Sequence, residues 1–231
     1  MNIYEIAENL RMSGNVVFSN LDFQRYASIS MESVPKYILR MKQKKIIYNV
    51  EKGKFSISND PFITASQIVY PSYISFLTGL YLNNLTDQTV NKIFIASPVR
   101  RNSLLYNNME IVFVYVEPNM MFGYKKIKKE NSYIMLGEPE KIIIDMLYKP
   151  QISGISPAND ILKEINLKRL YKLLSAVKKE SIKRRLAYLL DYNGIDNNIE
   201  ISSTVYRLNP YNKNKGKYKS RWKIYDNEVD C

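Results

Sequence analysis

Residues 18–57, FSNLDFQRYASISMESVPKYILRMKQKKIIYNVEKGKFSI, constrain this chain more than any other stretch, because a helical hydrophobic period gives way there to a strand period. Phe23 to Ala27 predicts a short helix, with Asn20 or Asp22 placed to cap it. Ser28-Ile29-Ser30 reads as the turn. A longer helix is expected over residues 31–45, since Met31, Val34, Ile38 and Met41 recur at three- and four-residue spacing and face one core. Ser33, Lys36, Tyr37, Arg40 and Lys44 fall on its other face. Pro35 leaves two starts open: a helix from Ser30 with a missing donor, or one capped by Ser33 with Pro35 in its first turn. From Ile47 the pattern alternates, Lys52-Gly53 reads as a hairpin turn, and Phe55 and Ile57 alternate on the return strand. Upstream, Asn2 to Met12 carries Ile3, Ile6, Ala7 and Leu10 on one helical face. Ser13-Gly14-Asn15 ends that helix, and Val16 to Phe18 is expected as an extended link.

That order of elements predicts a winged helix-turn-helix, whose second helix enters a major groove while the hairpin touches a phosphate backbone. The DNA-contact candidates are Ser30, Ser33, Lys36, Tyr37, Arg40 and Lys44 on and before the second helix, with Lys52 and Lys54 on the wing. Asn59-Asp60-Pro61 closes the unit, because Pro61 disfavours helix at Asp60. The expected division is a DNA-binding domain over 1–60 and a mixed α/β domain over 61–231, an α+β chain as a whole.

The chain has 231 residues, 45% of them apolar, enough for a large core. Its net charge is +12, and residues 151–231 hold sixteen basic residues against nine acidic ones. A basic final third implies a polyanionic partner, of which nucleic acid is the commonest. There is no His, so imidazole catalysis and His-metal sites are excluded. The only Cys is Cys231, so no internal disulfide is expected. No glycine-rich phosphate loop is present, and no Asp or Glu stands two residues before a Lys. The expectation is a non-enzyme without metal or cofactor. No signal peptide or membrane span is read, which places the chain in the cytoplasm.

Beyond residue 60, Pro71-Ser72 is expected to open a helix with Ile74, Leu77, Thr78 and Tyr81 buried. Strands are expected at 92–97, at 110–117 as the central strand, and at 133–136. Lys125, Lys126, Lys128 and Lys129 read as a solvated loop. Helices follow from Glu138-Pro139, from Ser156-Pro157, and over 181–192. Lys178, Lys179, Lys183, Arg184 and Arg185 form a basic strip suited to flanking DNA or an acidic partner. The tail predicts strands at 204–208 and 221–225 around a basic loop, with Trp222 as a core anchor.

After the winged segment come PSYISFLTGL, EPEKIIIDMLY, KRRLAYLLDYNG and SRWKIYDNE. In that order the chain resembles the AbiEi-type antitoxins, the transcriptional regulators of type IV toxin-antitoxin systems. The resemblance implies binding to inverted repeats of double-stranded DNA in the protein's own promoter, repression of that promoter, and functional pairing with a nucleotidyltransferase-like toxin. It implies no catalytic residues. The alternative reading of the same residues is a module that docks an acidic protein without reading DNA sequence.

Overall fold

The computed structural model describes residues 2–229, so Cys231 lies outside the described residues. Among them the chain is mixed α+β, with ten α-helices, two short 3-10 turns and three sheets. The order begins α1 (Ile3–Met12), β1 (Val17–Ser19), α2 (Asn20–Ala27), a 3-10 turn (Met31–Ser33), α3 (Val34–Gln43), β2 (Tyr48–Glu51) and β3 (Lys54–Ser56). It continues α4 (Pro61–Ala65), β4 (Tyr73–Ile74), α5 (Phe76–Leu82), β5 (Lys92–Ser97), β6 (Leu104–Tyr106), β7 (Met109–Tyr115), a second 3-10 turn (Pro118–Met120), β8 (Tyr124–Lys129) and β9 (Ser132–Gly137). The remainder is α6 (Pro139–Tyr148), α7 (Pro150–Ser153), α8 (Ser156–Asp160), α9 (Leu167–Leu174), α10 (Glu180–Tyr192), β10 (Tyr206–Arg207), β11 (Lys217–Lys219) and β12 (Ile224–Asp226). Two compact units result. Residues up to Ile74, with Asn91–Met121 and Lys126–Leu136, form the first; Ser75–Val90, Phe122–Lys125 and the chain from Gly137 form the second.

In the first unit, Ile3, Ile6, Ala7 and Leu10 of α1 pack with Phe18, Phe23, Ala27, Val34, Ile38, Met41, Ile47 and Phe55. Phe18 lies 6.0 Å from both Phe23 and Phe55, ring centre to ring centre. The segment expected as a link is a strand: β1 pairs antiparallel with β3, Phe18 opposite Phe55, and the sheet order is β1-β3-β2. Its three residues are too few to carry a periodic signal, and only the pairing defines it. The cap of α2 is Ser19, not Asn20 or Asp22. Its hydroxyl accepts from the Asp22 N–H at 3.2 Å, and the Asp22 carboxylate accepts from the Ser19 N–H at 2.9 Å, a reciprocal capping box. The Ser19 hydroxyl and then its N–H hold the Asp22 carboxyl below the ordinary carboxylate range. Because the folded pKa is the lower one, this stabilisation is complete above the ordinary value and fades as pH falls through the lowered one. Ser19→Ala is expected to cost about 1 kcal/mol, read as a shift of the urea midpoint at neutral pH that shrinks in acid.

The six-stranded sheet has the order β6-β7-β5-β4-β9-β8. β5 runs parallel to β7 through six paired residues, while β4 is antiparallel to β5 and parallel to β9. The apolar run at 110–117 therefore forms β7, one strand in from an edge, and β5 and β4 hold the centre. Pro71-Ser72 does not open a helix. Tyr73 and Ile74 are both fully buried in β4, so no alternation marks them, and the helix starts only at Phe76. Tyr81, expected in its buried stripe, is exposed. The four lysines at 125–129 are strand, not loop. β8 is an edge strand, where lysine is tolerated and discourages pairing with another chain.

In the second unit, α6 is buried from Glu140 to Leu147. Its Lys141 and Asp145 side chains, one turn apart, are ion-paired with no exposed surface, and the Ser75 hydroxyl donates to Asp145 at 2.7 Å. Burial pushes the Lys141 ammonium below its ordinary pKa, and Asp145 opposes that shift. Trp222 is buried as expected, its indole N–H donating to Asp191 at 2.8 Å. The small sheet β10-β12-β11 ends the described chain.

Candidate nucleic-acid interface

α3 is positioned by its own apolar stripe. Val34, Ile38 and Met41 are buried in the first unit's core, which fixes the opposite face outward. The helix starts later than its 31–45 pattern implies. Met31–Ser33 is a 3-10 turn, Pro35 sits in the first turn of α3, and Met31 is 45% exposed instead of facing the core. The tighter turn advances each residue further around the axis, which takes Met31 out of phase with Val34. Pro35 is accommodated because the first-turn N–H groups have no intrahelical acceptor. Ser33 occupies the cap position without a side-chain cap bond, and its hydroxyl is 3.0 Å from that of Ser30.

Helical geometry sorts the candidates into a ridge and a flank. Lys36, Leu39, Arg40 and Gln43 follow one another at three-, one- and three-residue steps, opposite Ile38 and Met41, and all four are exposed. Ser33, Tyr37 and Lys44 lie to one side. Tyr37 is half-buried and packs on the core, so its ring is partly committed to the scaffold. Lys44 is at the C-cap of α3, beyond its last full turn, and Lys45 follows with positive φ. Leu39 and Gln43 are not among the sequence candidates and emerge only once the helix start is fixed. Leu39 is 57% exposed at the centre of the ridge. Lys42 and Lys45 are two further exposed cations near the same helix end.

The β2–β3 hairpin turns at Gly53, whose φ of +76° suits glycine, and the Gly53 carbonyl accepts from the Asn20 N–H at 3.3 Å. That bond ties the turn to the start of α2. Lys52 is exposed at the turn. Lys54 is paired with Glu51 at 3.3 Å, and Glu51 is also bonded by Arg101. The Arg101 guanidinium above all holds the Glu51 carboxyl below its ordinary range, although burial opposes this. A phosphate approaching Lys54 must compete with an ionised carboxylate, whereas Lys52 faces no such rival among the described ion pairs.

The basic strip at 178–185 does not exist as a face. Lys178 is exposed, and Lys179 and Lys183 are half-exposed, Lys179 lying over the Tyr148 ring at 5.1 Å. Arg184 and Arg185 turn inward, because α10 is buried continuously from Arg184 to Leu190. Arg184 pairs with Glu180 at 2.9 Å and donates to the carbonyls of Ser202 and Thr204. Arg185 donates to the Leu147 carbonyl at 2.6 Å, near the end of α6, and burial lowers its pKa to about 10. Both are withdrawn from any polyanion.

The first unit also holds an open cleft of about 1460 Å³. Arg11, Lys126 and Lys128 on its walls are balanced by Glu8, Asp60 and Glu130, so it offers no field of one sign. Among the described residues no group of three or more His, Cys, Asp or Glu could hold a metal ion, and no helix is long and apolar enough to cross a membrane. In comparisons with known proteins, no family model matches the chain and no curated protein matches it.

Proposed function

We propose that this protein is a sequence-specific regulator that binds double-stranded DNA and represses its own promoter. Residues 1–60 act as a winged helix-turn-helix. The observation that carries the reading is the outward ridge of α3, where two cations, an amide and an apolar side chain stand exposed on a helix held by the core. These are the side-chain types that read base edges: Arg and Lys toward guanine, Gln toward adenine, an apolar group toward the thymine methyl. Lys52 at the wing supplies a phosphate contact. The antitoxin role of residues 61–231, paired with a nucleotidyltransferase-like toxin in the cytoplasm, rests on the order of the four motifs quoted above.

The test is a mobility shift on the DNA upstream of this protein's own gene, at two salt concentrations, with unrelated duplex as competitor. The unaltered chain is expected to prefer its own promoter. Arg40→Ala should lose that preference by about 1–3 kcal/mol. Lys52→Ala should weaken all duplexes alike and lower the salt slope by about one. Leu39 beside Lys36 and Arg40 also suits an acidic protein partner. That second reading is favoured if promoter and unrelated DNA bind equally and Arg40→Ala changes neither.

A further inference from the structure

The small sheet β10-β12-β11, in the second unit, presents aromatic rings among cations. Tyr218 of β11 and Tyr225 of β12 are cross-strand partners, with ring centres 5.0 Å apart. They are 49% and 41% exposed, while Ile224 and Asp226, on either side of Tyr225, are buried. On the other side of Tyr225 its partner in β10 is Arg207. A row of arginine, tyrosine and tyrosine therefore crosses the outer face. Between Ile201 and Tyr225 there are seven basic residues and no acidic one.

The loop beside this face is built, not slack. Asn227 is fully buried; its amide donates to the carbonyls of Asn209 and Asn212 at 2.8 and 3.0 Å and accepts from the Asn209 N–H at 2.9 Å. Gly216 has a φ of +73°, and a Cβ there would collide with the Asp226 carbonyl. The clamp holds the backbone from which exposed Lys213, Lys215 and Lys217 project. Buried Asp226 accepts from the Tyr188 hydroxyl and the Val229 N–H.

We propose that this face binds single-stranded nucleic acid, with successive bases stacking on Tyr225 and Tyr218 and the lysines of the loop neutralising phosphates. The tyrosines reach bases only where those are unpaired, and stacking on them is tolerant of sequence. The site is made of other residues than α3 and does not depend on its reading of duplex DNA.

The experiment is fluorescence anisotropy with the full chain and a labelled oligo(U) or oligo(dT) of about ten nucleotides, against a duplex of the same length. Tighter binding of the single strands is expected. Tyr218→Ala and Tyr225→Ala should each weaken them about tenfold, and Tyr→Phe at either position should not. Replacing Lys213, Lys215 and Lys217 together by Gln should lower the salt slope by about two. A preference for oligo(U) or oligo(dT) assigns the strand as RNA or DNA. Lys36→Ala/Arg40→Ala should leave single-strand affinity unchanged, which separates this site from α3. Emission from the only Trp, Trp222, checks that each variant is folded. Single-strand affinity no higher than that for duplex, or indifferent to both alanine variants in folded protein, overturns the proposal.

Discussion

Asp145→Ala is expected to destabilise the second unit by about 3–5 kcal/mol, because it removes the carboxylate facing a fully buried ammonium. That is a large share of the roughly 5–15 kcal/mol that holds a protein of ordinary stability. The loss has two parts. The Ser75 hydroxyl forfeits its 2.7 Å acceptor, and Lys141 keeps its desolvation without the charge that offset it. The variant carries its own signature in pH. Burial already lowers the Lys141 pKa, and without Asp145 it falls further, so the folded protein binds fewer protons than the unfolded chain. Stability of Asp145→Ala should therefore rise with pH toward the ordinary lysine range, measured by urea unfolding at several pH values. Lys141→Met combined with Asp145→Leu should be close to neutral, since replacing both partners removes the desolvation and the attraction together. A single variant within about 1 kcal/mol of the unaltered chain, with no dependence on pH, would show that the pair contributes little.

The sequence carried the helices and strands whose burial is one-sided, and lost the elements defined by partners far along the chain. Ile3, Ile6, Ala7, Leu10, Val34, Ile38 and Met41 are legible because a single face of a helix is buried, and the hairpin at Gly53 is legible because its turn requires positive φ. β1 has three residues, and only their pairing with β3 makes it a strand. Tyr73-Ile74 lies inside the six-stranded sheet with both side chains buried, so the Pro-Ser before it imitates a helix start. Arg184 and Arg185 fail for a further reason. Charge argues for exposure, but carbonyls 18 to 38 residues away accept their donors, and no local pattern records an acceptor at that distance. On α3 the cations were legible by type, whereas Leu39 and Gln43 emerge only once the helix start is fixed and the ridge can be traced.

Phe18→Ala is expected to cost the first unit about 3–5 kcal/mol, the range for truncating a buried aromatic ring. Phe18 is 2% exposed and is the ring that both Phe23 and Phe55 pack against, so its removal opens a cavity between α2 and β3. It also loosens β1, which carries the Ser19 cap of α2. Nothing on the ridge of α3 is touched. If the proposed DNA reading is right, this variant should lose promoter affinity only in proportion to the fraction of protein unfolded, because binding competence belongs to the folded population. A stabilising osmolyte such as sucrose, which favours burial of apolar surface, should then restore binding by Phe18→Ala. The same osmolyte should do nothing for Arg40→Ala, which keeps its fold and lacks the contact. Melting curves and mobility shifts on the two variants, with and without osmolyte, separate scaffold from recognition. Equal recovery of both variants would mean that Arg40 acts through the fold, and α3 would then have no claim to be the reading helix.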